Sequence, residues 1–227
     1  IATKFINLGQ SCIAPDYVMV HKQDYDMFIS TLISKIESTY GNSYKEQKAS
    51  SSLARIVNDN HFSRLVNIID DQNSNILYGG GYDKNDRFIS PTIIDITNTT
   101  TKASVQEIFG PIIPVVRYES DEDLKKLLDK VNNPLSIYIF SNNNKFIHTI
   151  KSSTNSGAVC INDIAAQFIN YNLPFGGVMN SGRGSYHGFS GFKEFSNSRS
   201  IMIQSKINLL NLLGPLYSKR VKKIVNF

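Results

Sequence analysis

Two cysteines are the candidate nucleophiles of this 227-residue chain, and they stand in different surroundings. Cys12 follows Asn7, Gly9 and Gln10 in a polar segment, whereas Cys160 lies in an apolar run. A nucleophilic thiol needs solvent access and donors directed at the oxygen that becomes charged. Gly9 permits a tight turn, and the backbone N–H of Cys12 could itself be such a donor. The alternative is a buried Cys12 at the start of a strand, since free cysteines are often buried.

The segment Glu107-Ile108-Phe109-Gly110-Pro111 could bind a nucleotide, and it begins 95 residues after Cys12 (107 − 12 = 95). A carboxylate can accept hydrogen bonds from ribose hydroxyls, and an aromatic ring can pack on a nicotinamide face. The Gly-Pro pair predicts a turn into the apolar strand that follows. Taken alone, the pattern favours an exposed glutamate before an ordinary turn.

A third segment is rich in glycine and runs from Leu173-Pro174-Phe175-Gly176-Gly177 to Gly188. Many glycines suggest a phosphate-binding loop, but their order does not match a P-loop and no strand leads directly into them. We therefore predict a long ordered loop, or a loop followed by a helix.

The four histidines show no metal-ligand spacing with cysteines or carboxylates, so we predict no metal site. We expect His61, which lies in a polar stretch of a predicted helix, to be structural or exposed. Cys160 is expected in the core, because its neighbours are apolar.

The elements that must position these residues alternate between strands and helices. The apolar periodicity predicts strands at 16–21, 76–78, 88–96, 112–116, 135–140, 158–161 and 200–204. It predicts helices from Tyr25 to a stop at Gly41, at 53–70, after Ser120 and at 145–153, with a loop at 42–52. This alternation indicates an α/β fold with a mostly parallel sheet flanked by helices.

Composition narrows the class of protein. Hydrophobic residues make up 41% of the chain and aromatic residues 11%, which is enough for a core and argues against global disorder. The net charge of +5 comes partly from a basic cluster near the C-terminus, and no arginine-rich or aromatic-interleaved patch indicates nucleic acid. Two cysteines without a disulfide framework favour a reducing, cytoplasmic location.

The C-terminal segment 207–227 places Leu209, Leu210, Leu212 and Leu213 before the basic cluster. This pattern suits an amphipathic anchor at a membrane surface. It equally suits packing against a partner subunit or another domain, and both interpretations stay open. No apolar run reaches the roughly 18 residues that a membrane span needs.

Together, the three segments resemble the motifs of NAD(P)-dependent aldehyde dehydrogenases, in the family's order. Asn7-x-Gly9-Gln10-x-Cys12-x-Ala14-Pro15 is similar to the cysteine signature, 107–111 to the Glu-x-Phe-Gly-Pro motif and 173–177 to the Pro-Phe-Gly-Gly loop. The Gly-Ser-Tyr-His-Gly run at 184–188 points to the class 3-like branch, which includes fatty aldehyde dehydrogenases. The resemblance extends from residue 4 to about residue 204.

The resemblance implies a role for each motif. The Cys12 thiolate would attack an aldehyde to give a thiohemiacetal, hydride would pass to NAD or NADP, and water would hydrolyse the thioester to a carboxylic acid. Glu107 would hold the nicotinamide ribose and Phe109 would border the nicotinamide. Asn162 and Phe175 would line the substrate side of the site.

The resemblance also implies a domain organisation. Residues 1–199 would form a partial catalytic domain, 200–227 a C-terminal strand and amphipathic tail, and the intact enzyme a homodimer. In the family, an N-terminal cofactor-binding domain, a general-base glutamate and an oxyanion asparagine precede the cysteine by more than the eleven residues found here. The resemblance assigns none of these three to this chain, so we expect a catalytic portion that is inactive, or nearly so, by itself.

Two other functions remain open at this level. One is a non-catalytic remnant that keeps the fold and binds a partner subunit. The other is a cysteine hydrolase that acts on activated esters through Cys12 and needs no nicotinamide.

Overall fold

The computed structural model describes residues 1–71, 75–97, 101–204 and 206. It divides into two compact units, Ile1–Glu194 and Phe195–Phe227. All helices and strands given below lie in the first unit. The predicted amphipathic tail at 207–227 falls outside the described residues.

The helices of the described residues begin and end at recognisable signals. Ser120 accepts a hydrogen bond from the N–H of Asp123, and three acidic residues occupy the first turn of the helix that follows. Gly41 ends the long second helix, as predicted. The α-helices are α1 (Ala2–Phe5), α2 (Tyr25–Tyr40), α3 (Tyr44–Ala49), α4 (Asp59–Asp71), α5 (Lys102–Val105), α6 (Asp121–Asp129), α7 (Asn144–Ser153), α8 (Ala166–Ile169) and α9 (Gly188–Glu194), with 3-10 turns at Ile6–Gly9 and Met179–Ser181.

Within the part of the chain that the structure describes, the strands form three sheets. They are β1 (Val18–His21), β2 (Ile76–Tyr78), β3 (Tyr82–Asp83), β4 (Phe88–Ile89), β5 (Thr92–Asp95), β6 (Ile112–Tyr118), β7 (Ser136–Ile139) and β8 (Ala158–Ile161). The largest sheet has the order β1-β6-β5-β2. In it β1 and β5 are both parallel to β6, and β2 is antiparallel to β5. The pair β3–β4 is antiparallel, and β7–β8 is parallel.

The core lies on both faces of the four-stranded sheet. The strands β5 and β6 are nearly continuous apolar runs, which is typical of central parallel strands covered on both faces. Ile93, Ile112 and Val115 are fully buried together with Leu65 and Ile68 of α4. The predicted α/β class with a mostly parallel sheet and packed helices is therefore confirmed.

Several element boundaries differ from the sequence prediction. The predicted strand at 88–96 is split into β4 and β5 at Pro91, because proline lacks the N–H that a ladder requires. The predicted loop at 42–52 contains α3, whose N-cap Ser43 accepts a hydrogen bond from the N–H of Glu46. The predicted helix at 53–70 begins only at Asp59, because residues 55–57 make hydrogen bonds to Gln10 and Arg87 instead of helical ones.

Residues 200–204, which we predicted as a strand, have no strand assignment in the single chain. Ile201, Met202 and Ile203 are all more than 70% exposed. An extended segment counts as a strand only when its backbone groups pair with a neighbouring strand.

Candidate active site

Cys12 lies in an exposed loop that follows the first 3-10 turn. Asn7, Leu8 and Gly9 all have left-handed backbone conformations, with φ of 51°, 55° and 76°. Such conformations are costly for residues other than glycine and persist only where surrounding contacts impose them. Cys12 itself is exposed, so the alternative of a buried Cys12 is wrong, and its role as nucleophile stays a prediction.

Gln10 holds the loop on the N-terminal side of Cys12. Its buried side chain donates from Nε2 to the carbonyl oxygens of Asn7 (2.9 Å) and Arg55 (3.0 Å). Its Oε1 accepts a hydrogen bond from the N–H of Val57 (2.9 Å). Arg55 and Val57 thus make hydrogen bonds to Gln10, and the N–H of Ile56 donates to the carbonyl oxygen of Arg87. These bonds replace those of a helix and explain the late start of α4.

Helix α4 holds the segment that contains Glu107 and Phe109. Arg64 donates from Nη1 to the carbonyl oxygen of Glu107 (3.0 Å) and from Nη2 to that of Ile108. His61 Nε2 lies 2.7 Å from the carbonyl oxygen of Phe109, and His61 Nδ1 accepts a hydrogen bond from Arg64 Nε. This pattern requires the tautomer that carries hydrogen on Nε2. His61 is half-buried and structural, as predicted, but the sequence did not reveal what it holds.

The Cys12 loop and the Glu107 segment meet at one edge of the sheet. Because β1 and β6 are parallel neighbours, the segments that precede them arrive at the same edge. Gly9 packs directly against Gly110, so closely that a Cβ on Gly9 would collide with the Gly110 carbonyl group. Asp16 accepts a hydrogen bond from the N–H of Ile108 (2.7 Å). The structure therefore brings together two motifs that are about 95 residues apart.

Four charged residues surround this junction. Burial lowers the pKa of Lys4 to about 8, although Asp16 and Glu107 oppose the shift. Burial raises the pKa of Asp16, opposed by the hydrogen bond from Ile108 and by Lys4 and Arg64. The pKa of Glu107 is raised mainly by desolvation of its carboxylate and secondly by the negative charge of Asp16. The residue as a whole is nevertheless exposed. The positive charges of Lys4 and Arg64 thus compensate the negative charges of Asp16 and Glu107 at this junction.

Phe175 is buried in a cluster of aromatic side chains. Its ring packs edge-on against Phe168 and Tyr186 and lies parallel to the ring of His187, 5.8 Å between centroids. His187 is 7% exposed, and neither ring nitrogen has a hydrogen-bond partner within the part of the chain that the structure describes. The Gly-rich segment is an ordered loop with a 3-10 turn that leads into α9, as predicted.

A chain of contacts joins Phe175 to the Cys12 loop. Phe168 neighbours Gln167 on α8, and Gln167 Nε2 donates to the hydroxyl of Tyr138 (3.3 Å). The Tyr138 hydroxyl donates to the carbonyl oxygen of Ile13 (2.7 Å), the residue after Cys12. Sequence reasoning missed Tyr138 and Gln167, because neither lies in a motif.

Asn162 is exposed at the end of β8, with φ of 56°. Its side chain accepts a hydrogen bond from the N–H of Ser141 (2.9 Å) and donates to the Ser141 carbonyl oxygen (3.0 Å). It also lines an open cavity of about 500 Å³ with His148 and Lys151 of α7. The side-chain hydrogen bonds of Asn162 join the ends of β7 and β8. Among the described residues, they do not reach the Cys12 loop.

Cys160 is 8% exposed on β8, so the prediction that it belongs to the core is confirmed. Among the described residues, no group of three histidine, cysteine, aspartate or glutamate side chains is arranged to bind a metal ion. No helix of the described segments has both the length and the hydropathy to cross a bilayer.

Some of the missed residues carried a usable signal. His61 and Arg64 are three residues apart on α4 and therefore lie on one helix face. Gln10 belongs to the cysteine signature, but the motif does not show that its side chain bonds to Arg55 and Val57. Asp16 also carried no role, because nothing in the sequence shows that its carboxylate meets Ile108.

Comparison with known proteins agrees with these motifs. Residues 1–201 match the aldehyde dehydrogenase family. The chain is 38% identical over 205 residues to a rat protein named "Aldehyde dehydrogenase, dimeric NADP-preferring", covering 90% of this chain and 44% of that protein. It is 37% identical over 201 residues to the rat "Aldehyde dehydrogenase family 3 member A2", covering 88% and 40% respectively. The chain thus spans less than half the length of these curated relatives.

Solved structures show the same fold. The substrate-bound state of a Staphylococcus aureus protein named AldH superposes with a TM-score of 0.82 at 32% identity. The superposition covers 98% of this chain and 48% of that one. The motifs and the fold both match those of aldehyde dehydrogenases, and the family match covers residues 1–201. The chain therefore belongs to the aldehyde dehydrogenase family.

Proposed function

We propose that this chain carries the nucleophile and part of the nicotinamide site of an NAD(P)-dependent aldehyde dehydrogenase that oxidises aldehydes to carboxylic acids. The observation that carries the proposal is the contact between Gly9 and Gly110, which packs the exposed Cys12 loop against the Glu107 segment. The names of the rat relatives and the family match support the reaction class.

Cys12 would supply covalent catalysis. Its thiolate forms a C–S bond to the aldehyde carbon, and the carbonyl oxygen becomes an oxyanion. The N–H of Cys12 donates no hydrogen bond within the described residues, so it is available to that oxygen. After hydride leaves the carbon, a thioester remains. Water then adds to the thioester carbon and the C–S bond breaks, which gives the acid and the free thiol.

The Glu107 segment fits a nicotinamide nucleotide. The carboxylate of Glu107 accepts no hydrogen bond from another described residue, while Arg64 and Asp16 hold the backbone around it. It can therefore accept hydrogen bonds from ribose hydroxyls, and the half-buried Phe109 ring can border a nicotinamide. When bound, the nucleotide supplies the hydride acceptor of the reaction.

Phe175 and Asn162 are proposed for the substrate side. The contacts from Ile13 through Tyr138 and Gln167 to Phe168 support a place for Phe175 beside the Cys12 loop. The support for Asn162 is weaker, because its hydrogen bonds are to Ser141. We further propose a homodimer, in line with the name of the dimeric rat relative. The 227-residue polypeptide alone is expected to oxidise little or no aldehyde.

The test compares two cysteine variants in the protein expressed from its complete reading frame. We expect Cys12→Ser to lower kcat/KM for a fatty or aromatic aldehyde by about 10³-fold or more, measured as NAD(P)H formation, because the weaker hydroxyl replaces the nucleophile. Cys160→Ser is the matched control, and it should retain most of the activity because Cys160 is buried on β8.

Equal activity of the two variants would refute the nucleophile assignment. A folded protein that forms no NAD(P)H with any aldehyde would instead support a non-catalytic remnant. Hydrolysis of activated esters without nucleotide turnover would support a cysteine hydrolase.

A further inference from the structure

Cys12 lies between two anchors that come from distant parts of the chain. On the N-terminal side, Gln10 is bound to Arg55 and Val57. On the C-terminal side, the hydroxyl of Tyr138 donates to the carbonyl oxygen of Ile13 at 2.7 Å. The second contact spans 125 residues and acts on the carbonyl group of Ile13, the residue that follows Cys12.

The direction of the Tyr138–Gln167 hydrogen bond follows from that of the Tyr138–Ile13 hydrogen bond. The hydroxyl has one hydrogen, which it donates to Ile13, so it must accept from Gln167 Nε2. The same Nε2 group donates to the hydroxyl oxygen of Ser136 (3.2 Å). Gln167 is 7% exposed, so its amide donor lies in a largely dry environment. Burial raises the pKa of Tyr138, so the hydroxyl keeps its hydrogen at neutral and mildly alkaline pH.

We infer that Tyr138 is a positioning residue that sets the placement of the Cys12 thiol, and that Gln167 orients the Tyr138 hydroxyl. The inference rests on the proposed function, because the thiol must meet an aldehyde carbon. A nucleophile reacts efficiently only from a near-attack geometry, and a misplacement of about 1 Å can cost about 100-fold in rate. Since Tyr138 contacts the nucleophile loop through the carbonyl oxygen of Ile13, it acts through the placement of Cys12 and not on the substrate.

The same hydrogen bonds connect the aromatic cluster around Phe175 to the loop that carries the Cys12 thiol. Phe168 follows Gln167 on the short helix α8, and its ring packs edge-on against Phe175 at 5.0 Å. A displacement of Phe175 would thus press on the element that holds Gln167. Tyr138 and Gln167 therefore couple the proposed substrate side to the nucleophile loop.

The test uses Tyr138→Phe, which removes only the hydroxyl, in the protein expressed from its complete reading frame. We expect kcat for aldehyde oxidation to fall by about 10-fold, because the thiol samples unproductive positions. KM for the nicotinamide nucleotide should stay within about two-fold of the wild-type value, since the contacts of Glu107 are untouched. Amide hydrogen exchange should quicken in peptides that cover 10–17 and stay unchanged in β5 and β6.

Two further variants make the test specific. Gln167→Met removes the amide donor at similar volume, and it should produce a smaller effect of the same kind. When combined with Tyr138→Phe it should add little to the loss of kcat, because Gln167 acts through the hydroxyl. Tyr118→Phe is the matched control: Tyr118 is half-buried at the end of β6 and packs against His21, away from Ile13.

A Tyr138→Phe protein with kcat within about two-fold of wild type would overturn the inference. So would an increase in exchange spread equally over residues 10–17, β5 and β6, because that result indicates general destabilisation. If Cys12→Ser keeps its activity, the proposed function fails, while the exchange comparison still decides whether Tyr138 holds the loop.

Discussion

Lys4 places a cation in a buried position, 4% exposed, beside the loop that carries Cys12. Burial lowers its pKa from 10.5 to about 8 in the folded state. Below about pH 8 the residue is protonated in both the folded and the unfolded chain, so it contributes no pH dependence there. Between the two pKa values the unfolded chain binds more protons, and the free energy of unfolding therefore rises with pH.

The prediction at the residue scale compares wild type with Lys4→Met. We expect the free energy of unfolding of wild type to rise, relative to the variant, by up to roughly 3 kcal/mol as pH increases between the two pKa values. Denaturant unfolding at several pH values measures this difference, and the titration of other groups cancels between the two proteins. Parallel pH profiles would show that Lys4 is not buried in its charged form.

At the scale of elements, the junction between the Cys12 loop and β6 depends on backbone contact. Gly9 has φ of 76° and abuts the Gly110 carbonyl group, while Gly110 itself packs against the side chain of Leu65 on α4. Two independent requirements, a left-handed conformation and an absent Cβ, thus coincide at Gly9. The approach of the two motifs is possible only with glycine at this position.

We therefore predict that Gly9→Ala destabilises the protein by about 2 kcal/mol or more, from backbone strain and overlap together. Gly191→Ala is the matched control. Gly191 lies within α9, has no positive φ, and a Cβ there would be 3.5 Å from its nearest neighbour, which is ordinary contact. Thermal unfolding of both variants measures the difference, and equal melting temperatures would contradict the close packing of Gly9.

On the scale of the whole molecule, the fold gives the two cysteines opposite accessibility. Cys12 lies in an exposed loop, whereas Cys160 is covered within β8. A core thiol reacts with an alkylating reagent only when the structure around it opens, so its rate reports the stability of that region.

We expect iodoacetamide to modify Cys12 at least about 100-fold faster than Cys160 in the folded protein. In denaturant the two rates should converge, because both thiols are then exposed. Mass spectrometry of the two cysteine peptides measures the rates from a single sample. Comparable rates without denaturant would mean that the β7–β8 region is open in solution.

The candidate residues of the site could be proposed from local sequence because each motif is continuous. The cysteine signature, the Glu107 segment and the Phe175 loop each span a few residues, and their order along the chain identified the family. The boundaries of β8 were also predictable, because four apolar residues lie between polar ones. The late start of α4 was not, because it depends on the hydrogen bonds of Gln10 to Arg55 and Val57.

Residue types alone determined the α/β class and the protein family, and they gave Cys12 as the proposed nucleophile, since these follow from local motifs and from the period of apolar residues. Only the tertiary structure decided how the site is held. The contact of Gly9 with Gly110, the clamp of His61 and Arg64, and the hydrogen bond from Tyr138 to Ile13 each join segments that are far apart in the chain. Such contacts arise from the parallel packing of the strands and leave no periodic or compositional pattern in the sequence.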